Sequence, residues 1–215
     1  MLDFYVLQGE IVPLESEYYT QAIAISDRVL EPDRQWQAYL NVLALRSFTE
    51  WLAERAGEMK VNEVVCSALH PESTPIPEVV ANLQVDEFQV CLIATESLID
   101  NLVRIPKEAI ELPEFAAHFY VIMEVIEEEQ QASIRGFLRY KQLTNLEAFC
   151  RLEAESGTWI YELPLDWLNF DTNNLLLGLS LADPAALIRK QPTTNNQQPT
   201  TNNQQPTTNN RQPTT

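Results

Sequence analysis

Acidic side chains are the most abundant chemically reactive groups in this 215-residue chain, which has 31 Asp and Glu against 14 Lys and Arg. Glu50, Glu54 and Glu58 recur at every fourth residue, so a helix would place all three on one face. Glu124 and Glu127–Glu129 form a second acidic group. Carboxylates that converge from different elements can bind Mg²⁺ or form an acid–base pair. We favour the interpretation as a solvent-exposed acidic face, because charges at helical spacing are typical of helix surfaces.

Other reactive residues are few and do not match known site patterns. The histidines, His70 and His118, are far apart in the sequence, and the cysteines, Cys66, Cys91 and Cys150, are widely spaced. The sequence has no Cys-x-x-Cys or His-Glu-x-x-His motif, and Cys150 has no evident base beside it. The five glycines are too dispersed for a phosphate-binding loop. We therefore predict no catalytic residue, no metal site and no cofactor.

The formal net charge of −17 restricts the partners that the chain can bind. Phosphate backbones are bound mainly through Lys and Arg, so we do not expect nucleic acid as a partner. The same charge disfavours anionic membrane surfaces. The longest charge-free apolar runs, Phe115–Met123 and Leu175–Ala182, are too short to span a bilayer. A protein with a basic surface is the partner that we expect.

The start of the chain and its cysteines together predict a cytoplasmic protein. No Lys or Arg precedes Arg28, so the basic start of a secretory signal is missing. The odd number of widely spaced cysteines predicts reduced thiols rather than a disulfide framework.

Apolar periodicity predicts helices over residues 15–57, the amino-terminal third of the chain. The strongest pattern covers about residues 34–56, where Trp36 and Leu40 begin a helical repeat that continues to Leu52. Asp33, after Pro32, is the predicted N-cap of this helix. Its apolar face is broad, so we expect burial on two sides, against a second helix and a sheet.

A Pro-rich loop at residues 70–78 separates the helices from a β-rich portion at 80–181. Glu127–Gln130 predicts an acidic hairpin turn. Val103–Pro106 predicts a short edge strand, because proline cannot donate to a strand ladder, and Lys107–Ala117 has room for a helical turn. Three runs rich in β-forming residues predict strands: Phe88–Thr95, Phe119–Ile126 and Ala132–Tyr140.

These elements predict an α+β fold in a single domain at residues 1–190. The long helix at about 34–56 should lie on a mainly antiparallel β portion. A body of this size can bury most of its apolar surface, so it needs no disulfide or metal to hold its core.

Residues 191–215 repeat the heptapeptide PTTNNQQ and contain no hydrophobic side chain. A tandem heptanucleotide such as CCAACAA, read through its successive frames, encodes this heptapeptide, so the repeat is expected to have arisen by replication slippage. Without apolar side chains the segment has nothing to offset its ordering entropy, and it is predicted to be disordered.

Three aromatic residues near the carboxyl end of the body are candidates for a partner interface. Trp159, Tyr161 and Trp167 lie in a short segment that also contains strand-forming residues. Large aromatic side chains at a surface are typical of interfaces, whereas their complete burial would make them part of the core.

Several segments, in their order along the chain, resemble one family. The helix Gln37–Ala53, the strand and Ile-Pro turn of Val103–Ala109, and the strands at Phe119–Val121 and Ile134–Leu138 are followed by the aromatic segment Trp159–Leu168. Together they resemble the cyanobacterial domain-of-unknown-function family numbered 1822. The resemblance implies a cytoplasmic protein of a photosynthetic bacterium and no known catalytic residues, with the repeat outside the family pattern.

The gene neighbours of that family include alternative sigma factors and caspase-like CHAT proteins, which would imply a regulatory or adaptor role. Our first hypothesis is therefore a non-enzymatic interaction module in bacterial transcription or stress signalling, with a basic protein partner. The alternatives are an enzyme that uses paired Asp and Glu carboxylates with Mg²⁺, and an oligomerising protein that associates through Trp159, Tyr161 and Trp167.

Overall fold

A six-stranded sheet lies between a layer of helices and a second, three-stranded sheet in the computed structural model. The structure describes residues 9–57, 59–62, 66–70, 80–113, 115–153 and 157–181. The helices are α1 (Ser16–Ser26), α2 (Pro32–Arg55), α3 (Lys107–Glu111) and α4 (Thr172–Leu181). The strands are β1 (Glu10–Pro13), β2 (Val61–Asn62), β3 (Ala81–Val85), β4 (Phe88–Thr95), β5 (Leu102–Pro106), β6 (Phe119–Ile126), β7 (Gln131–Arg139), β8 (Cys150–Leu152) and β9 (Trp159–Pro164).

The strand order confirms the α+β class and the mainly antiparallel β portion. The large sheet has the order β1-β7-β6-β4-β3-β2, and the small sheet has the order β5-β9-β8. Among the described strands, β4 and β6 form a parallel pair and the other neighbours are antiparallel. The parallel pair was not predicted. It forms because β5 and α3 intervene in the sequence and carry the chain back across the sheet.

The long helix α2 confirms the prediction for residues 34–56 and is buried against both α1 and the large sheet. Leu43, Phe48 and Trp51 are almost fully buried among apolar side chains of the sheet. The predicted cap is wrong, because the helix begins at Pro32 and Glu31 occupies the N-cap position. Proline suits the first helical position, where its missing N–H costs nothing.

A second core fills the space between the two sheets. Tyr120 and Ile122 on β6 meet Val103 and Ile105 on β5 together with Leu163 on β9, all of them buried. Strand β5 lies at the edge of the small sheet, which confirms the predicted edge strand. The large sheet is therefore covered on both faces.

Residues 172–181 contradict the β-rich assignment of 80–181, because they form helix α4. Leu175 and Leu179 are one helical turn apart, and both are buried on the helix side of the large sheet. The carboxylate of Asp171 accepts the N–H of Asn173 at 3.0 Å and so caps the helix start. Periodicity alone does not separate a helix from a buried strand in a short apolar run such as this one.

Most other boundaries agree with the sequence predictions. The predicted strands 88–95 and 119–126 match β4 and β6, and β7 begins one residue earlier than predicted. Glu127–Glu129 forms a short 3₁₀ turn between β6 and β7.

In the predicted Pro-rich loop only His70 is described, and 71–78 lie outside the described residues, as does the whole repeat 191–215. None of the described helices combines the length and apolar character needed to cross a bilayer.

Replacing Tyr120 by Phe should lower the free energy of unfolding by about 1–3 kcal/mol, measured by urea denaturation. The buried Tyr120 hydroxyl accepts the Ala117 N–H at 3.2 Å and donates to the Ala109 carbonyl at 3.0 Å. The variant leaves both backbone groups without that partner in the core. Tyr140→Phe is the control, because it removes the same hydroxyl from a half-buried tyrosine that packs against the same core. Equal losses in the two variants would contradict the assignment.

Candidate partner-binding surface

The acidic turn between β6 and β7 is tied to the helix layer by a tyrosine. The hydroxyl of Tyr39, on α2, donates a hydrogen bond to the carboxylate of Glu127. The Tyr39 side chain is 7% exposed, whereas the three glutamates of the turn are exposed to solvent. The contact therefore places an acidic edge beside the aromatic residues of the helices.

A second tyrosine, Tyr19 on α1, lies at the same place. Its hydroxyl oxygen is shielded from water and has no hydrogen-bond partner among the described residues. Tyr19, Glu127, Glu128 and Gln130 line an open hollow of about 450 Å³. A shielded hydroxyl without a partner costs free energy in the folded chain.

The two hydroxyls are held in their protonated form. Burial, followed by the Glu127 carboxylate, raises the pKa of Tyr19 above its ordinary value. Burial, the hydrogen bond to Glu127 and the charge of that residue raise the pKa of Tyr39. Both tyrosines are consequently neutral at physiological pH, and the negative charge of the hollow comes from the glutamates.

An exposed tryptophan extends this surface. Trp36, in the first turns of α2, stacks on Tyr39 with ring centroids 5.1 Å apart, and 40% of its side chain is exposed. Because Trp36 begins the predicted helical repeat, its exposure corrects the expectation of burial at this position, whereas Phe48 and Trp51 are buried. We call the set formed by these residues the acidic–aromatic surface: Tyr19, Trp36, Tyr39, Glu127 and Glu128.

The first predicted acidic group does not converge on this surface. Glu50 accepts the hydroxyl of Tyr18 at 2.6 Å, Glu54 is exposed, and Glu58 lies outside the described residues. Glu124 forms an ion pair with Arg135, with 3.3 Å between Oε2 and Nη1. In the described part of the chain no three His, Cys, Asp or Glu side chains are grouped so that they could hold a metal ion.

The predicted interface aromatics are dispersed by the fold. Trp159 is 47% exposed at the start of β9, whereas Tyr161 is 3% exposed and donates to Glu111 of α3. Trp167 is half-buried, with its ring 4.9 Å from that of Phe149. Tyr161 thus offers no surface to a partner, and Trp159 offers the largest surface of the three.

The histidines and cysteines have structural surroundings. His118 is buried, and its Nδ1 accepts the N–H of Gln89 at 2.9 Å, which joins the start of β6 to β4. His70 is exposed after a short 3₁₀ turn. All three cysteines are free thiols, and burial raises the pKa of Cys91, which makes that thiol a poor nucleophile at neutral pH.

A second hollow has a different composition. It measures about 1010 Å³ and lies where the end of α2 meets the β3–β4 turn and α4. Its lining combines apolar side chains such as Phe88 and Leu179 with Asp86, Glu87 and Lys60. The carboxylate of Asp86 already accepts the backbone N–H of Lys60 at 3.1 Å, so it joins the β3–β4 turn to the residue before β2.

Sequence reasoning noted Glu127–Glu129 but missed the tyrosines that meet it. Trp36 begins the helical repeat of the predicted long helix, and nothing in that repeat distinguishes it from the buried positions. The local pattern contains no signal for the Tyr39–Glu127 contact, because 88 residues separate the two positions.

A family model described as "Protein of unknown function (DUF1822)" matches residues 12–215. The matched range includes the repeat, so the expectation that the repeat falls outside the family pattern is wrong. No curated protein and no solved structure matches the chain.

Proposed function

The chain belongs to the DUF1822 family, and from this premise we propose that it is a non-catalytic interaction module that binds a basic segment of a partner protein. The acidic–aromatic surface would be the binding site. The observation that carries the proposal is the open hollow in which Glu127 and Glu128 present exposed carboxylates beside Tyr19.

A Lys or Arg side chain complements each part of this surface. Its cationic group would pair with the exposed carboxylates of Glu127 and Glu128. The exposed ring of Trp36 offers a face for a cation–π contact with a neighbouring basic residue. An acidic ligand would be repelled by the two carboxylates, and an apolar ligand would leave them without a counter-charge.

The charge of the whole chain supports the same choice of partner. A net charge of −17 attracts basic segments over long distances and speeds their encounter, more at low salt than at high salt. It also suppresses binding of acidic competitors. Charge alone gives little affinity at an exposed site, so the aromatic contacts would supply specificity.

The proposed setting is the cytoplasm of a cyanobacterium, in transcriptional or stress regulation. A basic DNA-binding surface of a regulator such as a sigma factor has the charge that this surface would accept. The acidic composition and the reduced cysteines support this setting, and the regulatory role comes from the family resemblance alone.

Binding of a fluorescein-labelled peptide of alternating Lys and Ala, measured by anisotropy, tests the proposal. Exchanging both Glu127→Gln and Glu128→Gln should weaken binding by about 2- to 30-fold, because two exposed ion pairs are lost. Trp36→Ala should weaken it by about 2- to 5-fold through the lost cation–π contact. Raising the salt concentration should weaken binding to the wild type more than to the glutamine variant.

Glu147→Gln is the matched control, because Glu147 is an exposed glutamate in the turn before β8. Its loss changes the net charge without touching the acidic–aromatic surface, and the peptide affinity should stay nearly constant. A peptide in which Gln replaces each Lys should not bind. Equal weakening by the control variant, or equal binding of the neutral peptide, would contradict the proposal.

A further inference from the structure

The small sheet ends in an exposed strand. Strand β8 pairs with β9 along one edge, and no described strand covers its other edge. Unpaired backbone N–H and C=O groups along a strand edge are a template for a further strand. The opposite edge strand, β5, contains Pro106 and continues directly into α3, so it is a poorer template.

Two large apolar side chains are exposed on this part of the sheet. Leu152 on β8 lies directly opposite Trp159 on β9. Their exposed fractions are 54% and 47%. Directly opposed residues share one face of a sheet, so the two side chains form a continuous apolar pair.

The charges that flank Leu152 are self-complementary. Arg151 precedes it and Glu153 follows it. If two copies of β8 pair antiparallel about a two-fold axis at Leu152, Arg151 of each copy opposes Glu153 of the other. Opposite charges that face one another across strands stabilise their pairing, whereas a parallel in-register pair would oppose like charges.

In the single chain Arg151 covers part of this edge itself. Its guanidinium donates to the carbonyl oxygens of Ala148 and Cys150, at 3.2 and 2.8 Å. These bonds are exposed to solvent, so they cost little to exchange for the N–H groups and the carboxylate of a second copy.

We propose that two copies of this chain associate through β8, antiparallel and centred on Leu152, so that their small sheets join into one continuous sheet. The contact buries the two Leu152 side chains against each other and beside Trp159. It shares no residue with the acidic–aromatic surface, so it stands independently of the proposed function.

Sedimentation equilibrium of the full chain across micromolar to millimolar concentrations tests this dimer. The wild type should show a reversible monomer–dimer equilibrium. Arg151→Glu alone and Glu153→Arg alone should each weaken association by about tenfold or more, because like charges then face each other twice. The two variants mixed together should form a mixed dimer, since one strand is then acidic and the other basic. The double variant with both exchanges should recover self-association.

Leu152→Lys and Ile11→Lys provide a matched pair. Ile11 is 55% exposed on β1, the edge strand of the large sheet, so its exchange introduces the same charge on another strand edge. Leu152→Lys should abolish the dimer and Ile11→Lys should leave it intact, with far-UV circular dichroism confirming the fold of both. A wild type that stays monomeric throughout would overturn the proposal, as would a dimer that resists Leu152→Lys or fails to form in the mixture.

Discussion

Gly136→Ala is expected to be among the most destabilising single-methyl additions in the described part of the chain. Gly136 lies in a β-bulge of β7, with φ at +143°, a conformation that L side chains rarely adopt. A Cβ there would lie 2.9 Å from the carbonyl oxygen of Asn169 and 3.0 Å from the Cβ of Leu168. Strained backbone and overpacking each cost about 1–3 kcal/mol, so about 2–6 kcal/mol should be lost.

The structural reason lies in the segment that crosses the strand at this point. Phe137 and Asn169 exchange two backbone hydrogen bonds, at 3.0 and 2.9 Å, and this bridge leads the chain into α4. An alanine at position 136 would push the bridge away from β7 and loosen the packing of that helix.

Gly157→Ala separates the two contributions and is measured in the same urea titrations. Gly157 also has a positive φ, +69°, but no heavy atom of the described residues, its chain neighbours aside, lies within 4 Å of its added Cβ. Its loss should be limited to about 1–2 kcal/mol of backbone cost. Equal losses at the two positions would show that the close approach to Asn169 does not matter.

Alkaline pH is expected to unfold the protein steeply above about pH 10. Burial, followed by a neighbouring carboxylate, raises the pKa of Tyr39 and of Tyr161, which donate to Glu127 and Glu111. Burial raises the pKa of Tyr120 inside the second core. In the unfolded chain these tyrosines lose their protons near pH 10, whereas the folded chain retains them.

The sign of the effect follows from this difference in bound protons. Because the folded pKa values are raised, the contribution to stability is complete below about pH 9 and is lost as the pH rises above 10. Each tyrosine that stays protonated only in the folded chain lowers the free energy of unfolding by about 1.4 kcal/mol per pH unit in that range. The three together lower it by roughly 4 kcal/mol per pH unit. Most single domains have only about 5–15 kcal/mol in total.

Tyrosinate absorbance and near-UV circular dichroism, recorded together from pH 8 to 12, test this prediction. Ionisation of the buried tyrosines should coincide with loss of the dichroism signal in one cooperative step. Tyr39→Phe and Tyr161→Phe should each make the dependence of stability on pH shallower. Gradual ionisation centred near pH 10 in a chain that keeps its native dichroism would contradict it.

The local elements were largely predictable because their signals are local. The helical repeat that continues to Leu52 and the β-forming runs at 88–95 and 119–126 predicted α2, β4 and β6 with small errors. The errors occur where the local pattern is ambiguous. Periodicity alone does not decide between a helix and a buried strand for Leu175–Leu181. The segment forms α4, which packs Leu175 and Leu179 on the helix side of the large sheet.

The candidate surface was hardly predictable at all. Glu127–Glu129 was identified as an acidic turn, but nothing in its neighbours indicates that Tyr39 and Tyr19 meet it. The predicted interface aromatics show the same limit. Trp159 and Tyr161 lie on one face of β9, but Tyr161 is covered by the second core whereas Trp159, at the start of the strand, is exposed. Burial of a single side chain depends on what the rest of the chain places over it.

The sequence by itself determined the class of this protein: an acidic α+β body with a long buried helix, a mainly antiparallel β portion and a Gln/Asn-rich repeat. Composition and periodicity suffice for this class, because net charge is a sum over residues and apolar spacing depends only on residues that are near one another in the sequence. Only the tertiary structure determined four features: the parallel β4–β6 pair, the close approach of Asn169 to Gly136, the Tyr39–Glu127 contact and the exposed edge of β8. Each of these depends on contacts between residues far apart in the chain, whose proximity is set by the packing of the three layers.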